Sequence, residues 1–350
     1  MQSPEKSANL AELARRAFES LSQGEPPDDA TLEHVKRMAA ALAARTEPWE
    51  FRRDVASILS MLAQGERASE ACEECRSLVR GLSDEHAEVR ETSAEALGYL
   101  ARKSNLCIKI VEEGALDALL EGMVSAPSST AMYTITWTLS NICACHGVPF
   151  ARKRPAVLTQ IILYSPYTEV ITNVCWIISH LLNGPDEQIE WMLGRMGTYT
   201  IDRMVDLLGS DHKAVVWAAL RAVGNILTGS DEQTQAVLDS GALPLLGDLI
   251  ESKTHRIARE ACWAISNVTA GTVTQIEEVI ESGVVSKLVR VLSSEDSSKK
   301  WRMVQREAVW AISNACEGGT AGQVSVFVGD GCVAHLCAFV ASSSSETDAQ

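Results

Sequence analysis

Three stretches of this chain can be written one beneath another: "VWAALRAVGNILTGSDEQTQAVLDSGALPLLGDLI", "REACWAISNVTAGTVTQIEEVIESGVVSKLVRVL" and "REAVWAISNACEGGTAGQVSVFVGDGCVAHLCAFV". Their aligned asparagines are Asn225, Asn267 and Asn314, separated by 42 and 47 residues. Further back, "TITWTLSNICA" places Asn141 84 residues before Asn225, two periods of 42, and "NVCWIISHLLNGPDEQI" supplies the unit between. Glycine marks the same period independently: Gly241, Gly283 and Gly331 are 42 and 48 residues apart, and Gly114 belongs to the same series. A repeat of this length means stacked supersecondary units, none of which can bury its apolar face alone.

Each unit reads as a short helix such as "DEQTQAVLDS", a glycine turn, a second helix such as "LPLLGDLIES", and a longer third helix that carries the Trp and Asn. Glycine at the junction fits a position that needs positive φ or a close backbone approach. Three helices in about 40 to 47 residues is the armadillo pattern. The expected fold is therefore all-α, a right-handed armadillo-repeat superhelix or α-solenoid of about seven and a half three-helix repeats. Its expected limits are residues 31–342, after a poorly specified segment 1–30 and before a Ser-rich acidic tail 343–350.

In "REACWAISNVTAG" the residues Ala261, Cys262, Ile265 and Val268 have the spacing of a buried stripe, and Glu260, Trp263 and Asn267 form a separate stripe at i, i+3 and i+7. Glu307, Trp310 and Asn314 repeat that second stripe, with Ala308, Val309, Ile312 and Cys316 in the core role. Parallel third helices would then present indoles alternating with carboxamides. An indole ladder forms slots for the aliphatic stems of Lys and Arg and attracts their cationic heads by roughly 0.5 to 2 kcal/mol each. An Asn at each step can pair with a peptide backbone through both donor and acceptor, and Glu complements the cations. The expected ligand is an extended basic peptide.

The charge balance agrees, with 31 Lys plus Arg against 46 Asp plus Glu and a formal net charge of −15. Such a field disfavours direct nucleic-acid or anionic-membrane binding and favours basic partners. No run of 18 apolar residues occurs, so no membrane span is expected, and the N-terminus lacks a secretory pattern. Ten cysteines without framework spacing fit buried thiols in a reducing compartment.

The segments "TWTLSNIC", "CWIISHLLNGPDEQI", "ALRAVGNILTGSDEQTQAVLDSGAL", "REACWAISNVTAG" and "REAVWAISN" resemble importin alpha, the nuclear import adaptor that recognises localisation signals through armadillo repeats. The likeness runs from about residue 86 to about residue 340. It implies two peptide sites. Trp137 and Asn141 of the third repeat, with Asn173 and Trp176 of the fourth, would be a remnant of the larger site. Arg221 and Asn225 of the fifth would divide the sites. Glu260, Trp263, Asn267, Glu307, Trp310 and Asn314 of the sixth and seventh would form the minor site. The first two repeats depart from the family, with Ser57 and Met61, then Glu95 and Tyr99, where it has Trp and Asn; His180 follows Trp176 where an aromatic residue usually sits.

Both ends depart too. Lys6, Arg15, Arg16, Lys36, Arg37 and Arg45 make no dense basic cluster of the kind that binds importin beta, so that partner is possible but its binding segment is not evident. The chain stops in "CAFVASSSSETDAQ", about halfway through an eighth repeat, where the family continues to about ten, implying a member divergent or truncated at both ends.

Weaker signals are set against bland readings. Cys72 and Cys75 have redox or zinc spacing but no second ligand pair, which favours ordinary helix positions. Cys143, Cys145 and His146 are likewise read as helix end rather than metal site, and Arg152–Arg154 as a solvated loop. Trp217 stands one turn before Arg221, close enough for a cation–π pair, while Trp191 and Trp301 lie off the repeated stripe and are expected to pack or cover. No catalytic or phosphate-binding motif is present, and no enzyme activity, cofactor or metal is expected. The function implied is nuclear import of cargo proteins with Lys/Arg-rich localisation signals, in cytoplasm and nucleus. The alternative is an armadillo interaction scaffold without a transport role.

Overall fold

The computed structural model describes residues 4–24, 27–124, 128–145, 155–296, 298–329 and 331–347; His146 and the basic run Arg152–Arg154 lie outside them. The chain divides into two compact units after Val157. Among the described residues every regular element is helical.

The first unit holds α1 (Pro4–Ser22), α2 (Asp29–Ala44) and α3 (Trp49–Gln64), then α4 (Ala68–Glu73), α5 (Cys75–Gly81) and α6 (Ala87–Ala101), then α7 (Ser104–Glu112), α8 (Ala115–Val124) and α9 (Ser129–Cys143). The third helices stack in order, α3 on α6 and α6 on α9. Residues 1–30, expected to be poorly specified, include α1, whose Leu10, Ala14 and Ala17 are buried and which packs on α3. Arg52 of α3 reaches Asp84 through two charge-assisted hydrogen bonds of 2.8 and 2.9 Å, both side chains almost wholly buried. Burial alone would push the Asp84 carboxyl up; Arg52 and the His86 N–H outweigh it and hold it below the usual range.

The short helix α10 (Pro155–Tyr164) crosses the division. The second unit continues with α11 (Thr168–Leu181), α12 (Asp186–Met196), α13 (Thr198–Asp206) with a 3₁₀ turn at Leu207–Gly209, and α14 (Lys213–Ile226). There follow α15 (Asp231–Asp239), α16 (Ala242–Ile250) and α17 (His255–Thr269), α18 (Val273–Glu281), α19 (Val284–Leu292) and α20 (Lys299–Gly318), and finally α21 (Ala321–Phe327) and α22 (Cys332–Thr347). Again α11 packs on α14, α14 on α17 and α17 on α20. Ala261, Cys262, Ile265 and Val268 are wholly buried as their spacing requires. Ala308 and Ile312 are buried as well, but Val309 and Cys316 of α20 only half so.

Gly114, Gly241, Gly283 and Gly331 have φ between 75° and 91°, as does Gly197 in the same turn of its own repeat. An added Cβ would meet nothing within 4 Å at any of them, so conformation rather than space demands glycine here.

A second periodic device ties first helices together. Ser230 with Gln233, Thr272 with Gln275, and Thr320 with Gln323 each form a reciprocal capping box. The same glutamine amide also donates to the preceding repeat: Gln275 to the Asp231 carbonyl at 2.8 Å and Gln323 to that of Val273 at 2.9 Å. Gln275 and Gln323 are buried, so each satisfies its own helix start and its neighbour's backbone at once.

Candidate functional site

The residues expected to bind peptide fall in both units, Trp137 and Asn141 in the first and the rest in the second. In the first unit the Trp137 ring lies on Gly98, where an added Cβ would overlap it, and meets Tyr99 edge-on at 5.1 Å between centroids. Asn141 donates its amide to the carbonyl of the same Gly98 at 3.2 Å. Indole and carboxamide, one turn apart on α9, thus grip one glycine of α6.

The second unit repeats the arrangement. Trp263 lies on Gly224, again where a Cβ would overlap its ring, and Asn267 donates to the Gly224 carbonyl at 3.4 Å. Asn225 donates to Ser179 at 2.6 Å and Asn314 to Ser266 at 2.9 Å. In every case the acceptor immediately precedes the residue that the repeat alignment, with spacings of 42 to 47, puts opposite the asparagine. These carboxamides are clamps between neighbouring third helices, which leaves each with one N–H and the acceptor oxygen for other work.

Opposite Ser266 the Trp310 side chain stands 56% exposed, whereas Trp263 over Gly224 is half-buried. Opposite Ser179 the position is Arg221 instead of Trp.

The carboxylates are placed differently from expectation. Glu260 is buried at 2% exposure, and its Oε1 receives Arg221 at 2.7 Å and Arg259 at 3.0 Å, while its buried Oε2 has no hydrogen-bond partner. Two of the chain's own guanidinium groups neutralise it, so the charge is spent internally. Glu307 is half-buried with Arg306 at 3.6 Å. Asn173, on the same stripe one turn before Trp176, is buried at 8% exposure, and the adjacent residues explain why: α11 turns Val170, Ile171, Val174 and Cys175 into its core.

Trp217 contributes where the repeat pattern gave no reason to expect it. Its ring meets Trp176 edge-on at 4.7 Å, and Trp176 also stacks on His180 at 6.1 Å. The cation over Trp217 is Arg256 at 4.1 Å, not Arg221, which lies 5.3 Å from Trp263 instead. The expected Trp217–Arg221 pair is replaced because Glu260 draws Arg221 toward α17. Trp191 carries Arg195 at 3.9 Å, and Trp301 packs edge-on against His255.

The cysteine signals have a plain geometry. Cys72 lies in the last turn of α4 and Cys75 opens α5, both buried; the neighbouring Cys75 thiol draws the Cys72 thiol below its ordinary value, and Cys75 itself is pushed up. Among the described residues no group of three or more His, Cys, Asp or Glu is placed to hold a metal, and no single helix is long and apolar enough to cross a membrane.

The Armadillo/beta-catenin-like repeat family matches residues 230–270 and 272–317, and the HEAT repeat family residues 75–104. Importin subunit alpha-1b of Oryza sativa subsp. japonica is 39% identical over 263 residues, 74% of this chain and 48% of that protein. Over that stretch the chain resembles importin alpha. Importin subunit alpha-3 of Arabidopsis thaliana is 34% identical over 174 residues, 49% of this chain and 32% of that one. The chain therefore spans half or less of the length of these curated relatives. Among solved structures, an engineered protein aligns over 94% of this chain and 78% of its own at a TM-score of 0.78 and 24% identity. A designed armadillo repeat protein solved in complex with the peptide (KR)4 aligns over 69% of this chain and 99% of its own, at 0.62 and 23%. The importin alpha likeness and these structures agree on an all-α armadillo solenoid.

Proposed function

We propose that this chain binds Lys/Arg-rich localisation signals in extended conformation on the third helices of repeats six and seven, and acts as an adaptor for nuclear import between cytoplasm and nucleus. The observation that carries this reading is the paired rung. Trp263 with Asn267 and Trp310 with Asn314 recur 47 residues apart, each asparagine oriented by a backbone bond to the preceding helix. An oriented carboxamide loses less freedom when it receives a peptide amide, and an exposed indole such as Trp310 offers a face for an aliphatic stem and its cation. Asn225, Glu307 and Arg221 flank these rungs. In the other set Trp137, Asn141 and Trp176 keep the same side-chain chemistry, while Asn173 is buried. Importin beta is the partner that the transport role requires.

A titration tests the site. A Lys/Arg-rich peptide binding the intact protein should lose at least about tenfold in affinity in the Trp263→Ala, Trp310→Ala double variant, the scale of a lost aromatic anchor. Unchanged affinity rejects the assignment.

The burial of Glu260 under Arg221 and Arg259 favours a second reading, an interaction scaffold outside the transport cycle, because it removes a carboxylate from the cations of a basic peptide. Capture of importin beta by the peptide-loaded protein supports the adaptor. A clean failure of that capture, with peptide binding intact, supports the scaffold.

A further inference from the structure

Helix α17 opens with His255 and Arg256, and α20 opens with Lys299 and Lys300; neither has an acidic residue in its first turn. Cations at a helix start oppose the macrodipole, at a cost of a few tenths of a kcal/mol or more each. Other helices follow the favourable rule, with Asp29 in α2, Glu50 in α3, Glu88 in α6, Glu169 in α11 and Asp186 in α12. Helix α14 also opens on a cation, Lys213, but α17 and α20 pack on each other and each opens with basic residues, in a chain whose net charge is −15.

The side chains converge. Lys253, His255, Arg256, Arg259 and Lys300 line one open cavity of about 450 Å³. Lys253, Arg256 and Lys300 are exposed at its rim, and among the described residues no carboxylate pairs with any of the three. Arg256 is held by the Trp217 face, which fixes its direction without neutralising it. The carboxylates nearby are Glu260, buried beneath Arg259, and Asp296, 3.5 Å from His255. The remaining positive charge has no internal partner, and a break in local rules without a compensating contact marks a site that answers to something outside the chain.

We propose that this cavity binds a phosphate monoester dianion carried on a phosphorylated peptide. A phosphate offers the compact charge and multiple acceptor oxygens that ammonium and guanidinium groups recognise together. The size and the overall field select the carrier. A nucleic acid or an anionic bilayer brings a long array of negative charge against a net −15 protein, whereas one phosphoserine presents its dianion to the local cluster alone. Neither Trp310 nor Asn314 lines the cavity, so the proposal stands apart from the basic-peptide reading.

Fluorescence anisotropy decides it, using a phosphoserine peptide with neutral flanks and its unphosphorylated counterpart on the full chain. The phosphopeptide should bind at least about tenfold more tightly. The Lys253→Gln, Lys300→Gln double variant should erase that difference while binding a Lys/Arg-rich peptide as before and melting at the same temperature. Arg256→Gln, altering a second wall, should weaken phosphopeptide binding in the same direction. Equal binding of the two peptides, or full phosphopeptide affinity in the double variant, overturns the proposal. So does competition by inorganic phosphate, or by single-stranded DNA, as effective as that of the phosphopeptide itself.

Discussion

At the scale of the residue, a missing methyl group positions an indole. Gly98 and Gly224 each leave room for a tryptophan ring from the next repeat and also accept that repeat's asparagine. Gly224→Ala should therefore displace Trp263, destabilise the second unit by about 1–3 kcal/mol as overpacking does, and shift the tryptophan emission. Thermal melts and fluorescence spectra of the variant check this; an unchanged melt and spectrum would mean the ring has another equally good place. Trp263, Trp310 and their asparagines were legible because they recur with the repeat. The fate of Glu260 was not, because its first partner, Arg221, lies 39 residues away on another helix. A glycine immediately before the aligned asparagine position, in "LGYLA" and "VGNIL", was a visible signal for the seats, although one repeat away from the tryptophan it serves.

At the scale of the element, first helices and third helices are tied by different chemistry. Third helices stack through apolar stripes and asparagine clamps. First helices use a glutamine that closes its own capping box and then bonds the repeat before it. Gln275→Ala should leave the Thr272 N–H and the Asp231 carbonyl short of a partner and cost about 1–3 kcal/mol in denaturant unfolding. A loss within error would show that water replaces the amide at both. Spacings of 42 and 48 residues among Gln233, Gln275 and Gln323 made this device readable in principle, yet polar residues in a first turn look like ordinary surface. The same holds for α1, whose buried Leu10, Ala14 and Ala17 follow helical spacing in a segment rich in charge. Half-burial of Val309 and Cys316 could not be read from α20, because an apolar stripe does not state how much lies beyond it.

At the scale of the whole molecule, repeats contact their neighbours in each unit and charge acts on all of them together. Affinity for a Lys/Arg-rich peptide should fall by about tenfold between low and physiological salt as the field of −15 is screened. Salt-independent binding would assign the affinity to stacking and backbone pairing alone. The sequence by itself determined the repeat length, the helix order, the glycine turns and the stripe that bears Trp and Asn, because periodicity is a property of the chain alone. Only the tertiary structure decided that Asn267 and Asn314 also clamp the preceding helix, that Glu260 is buried under two arginines, that Arg256 rather than Arg221 covers Trp217, and that four cations and His255 meet in one cavity. Each of those facts joins residues from different helices, and the distance between two charges is set by how repeats stack, which no single repeat encodes.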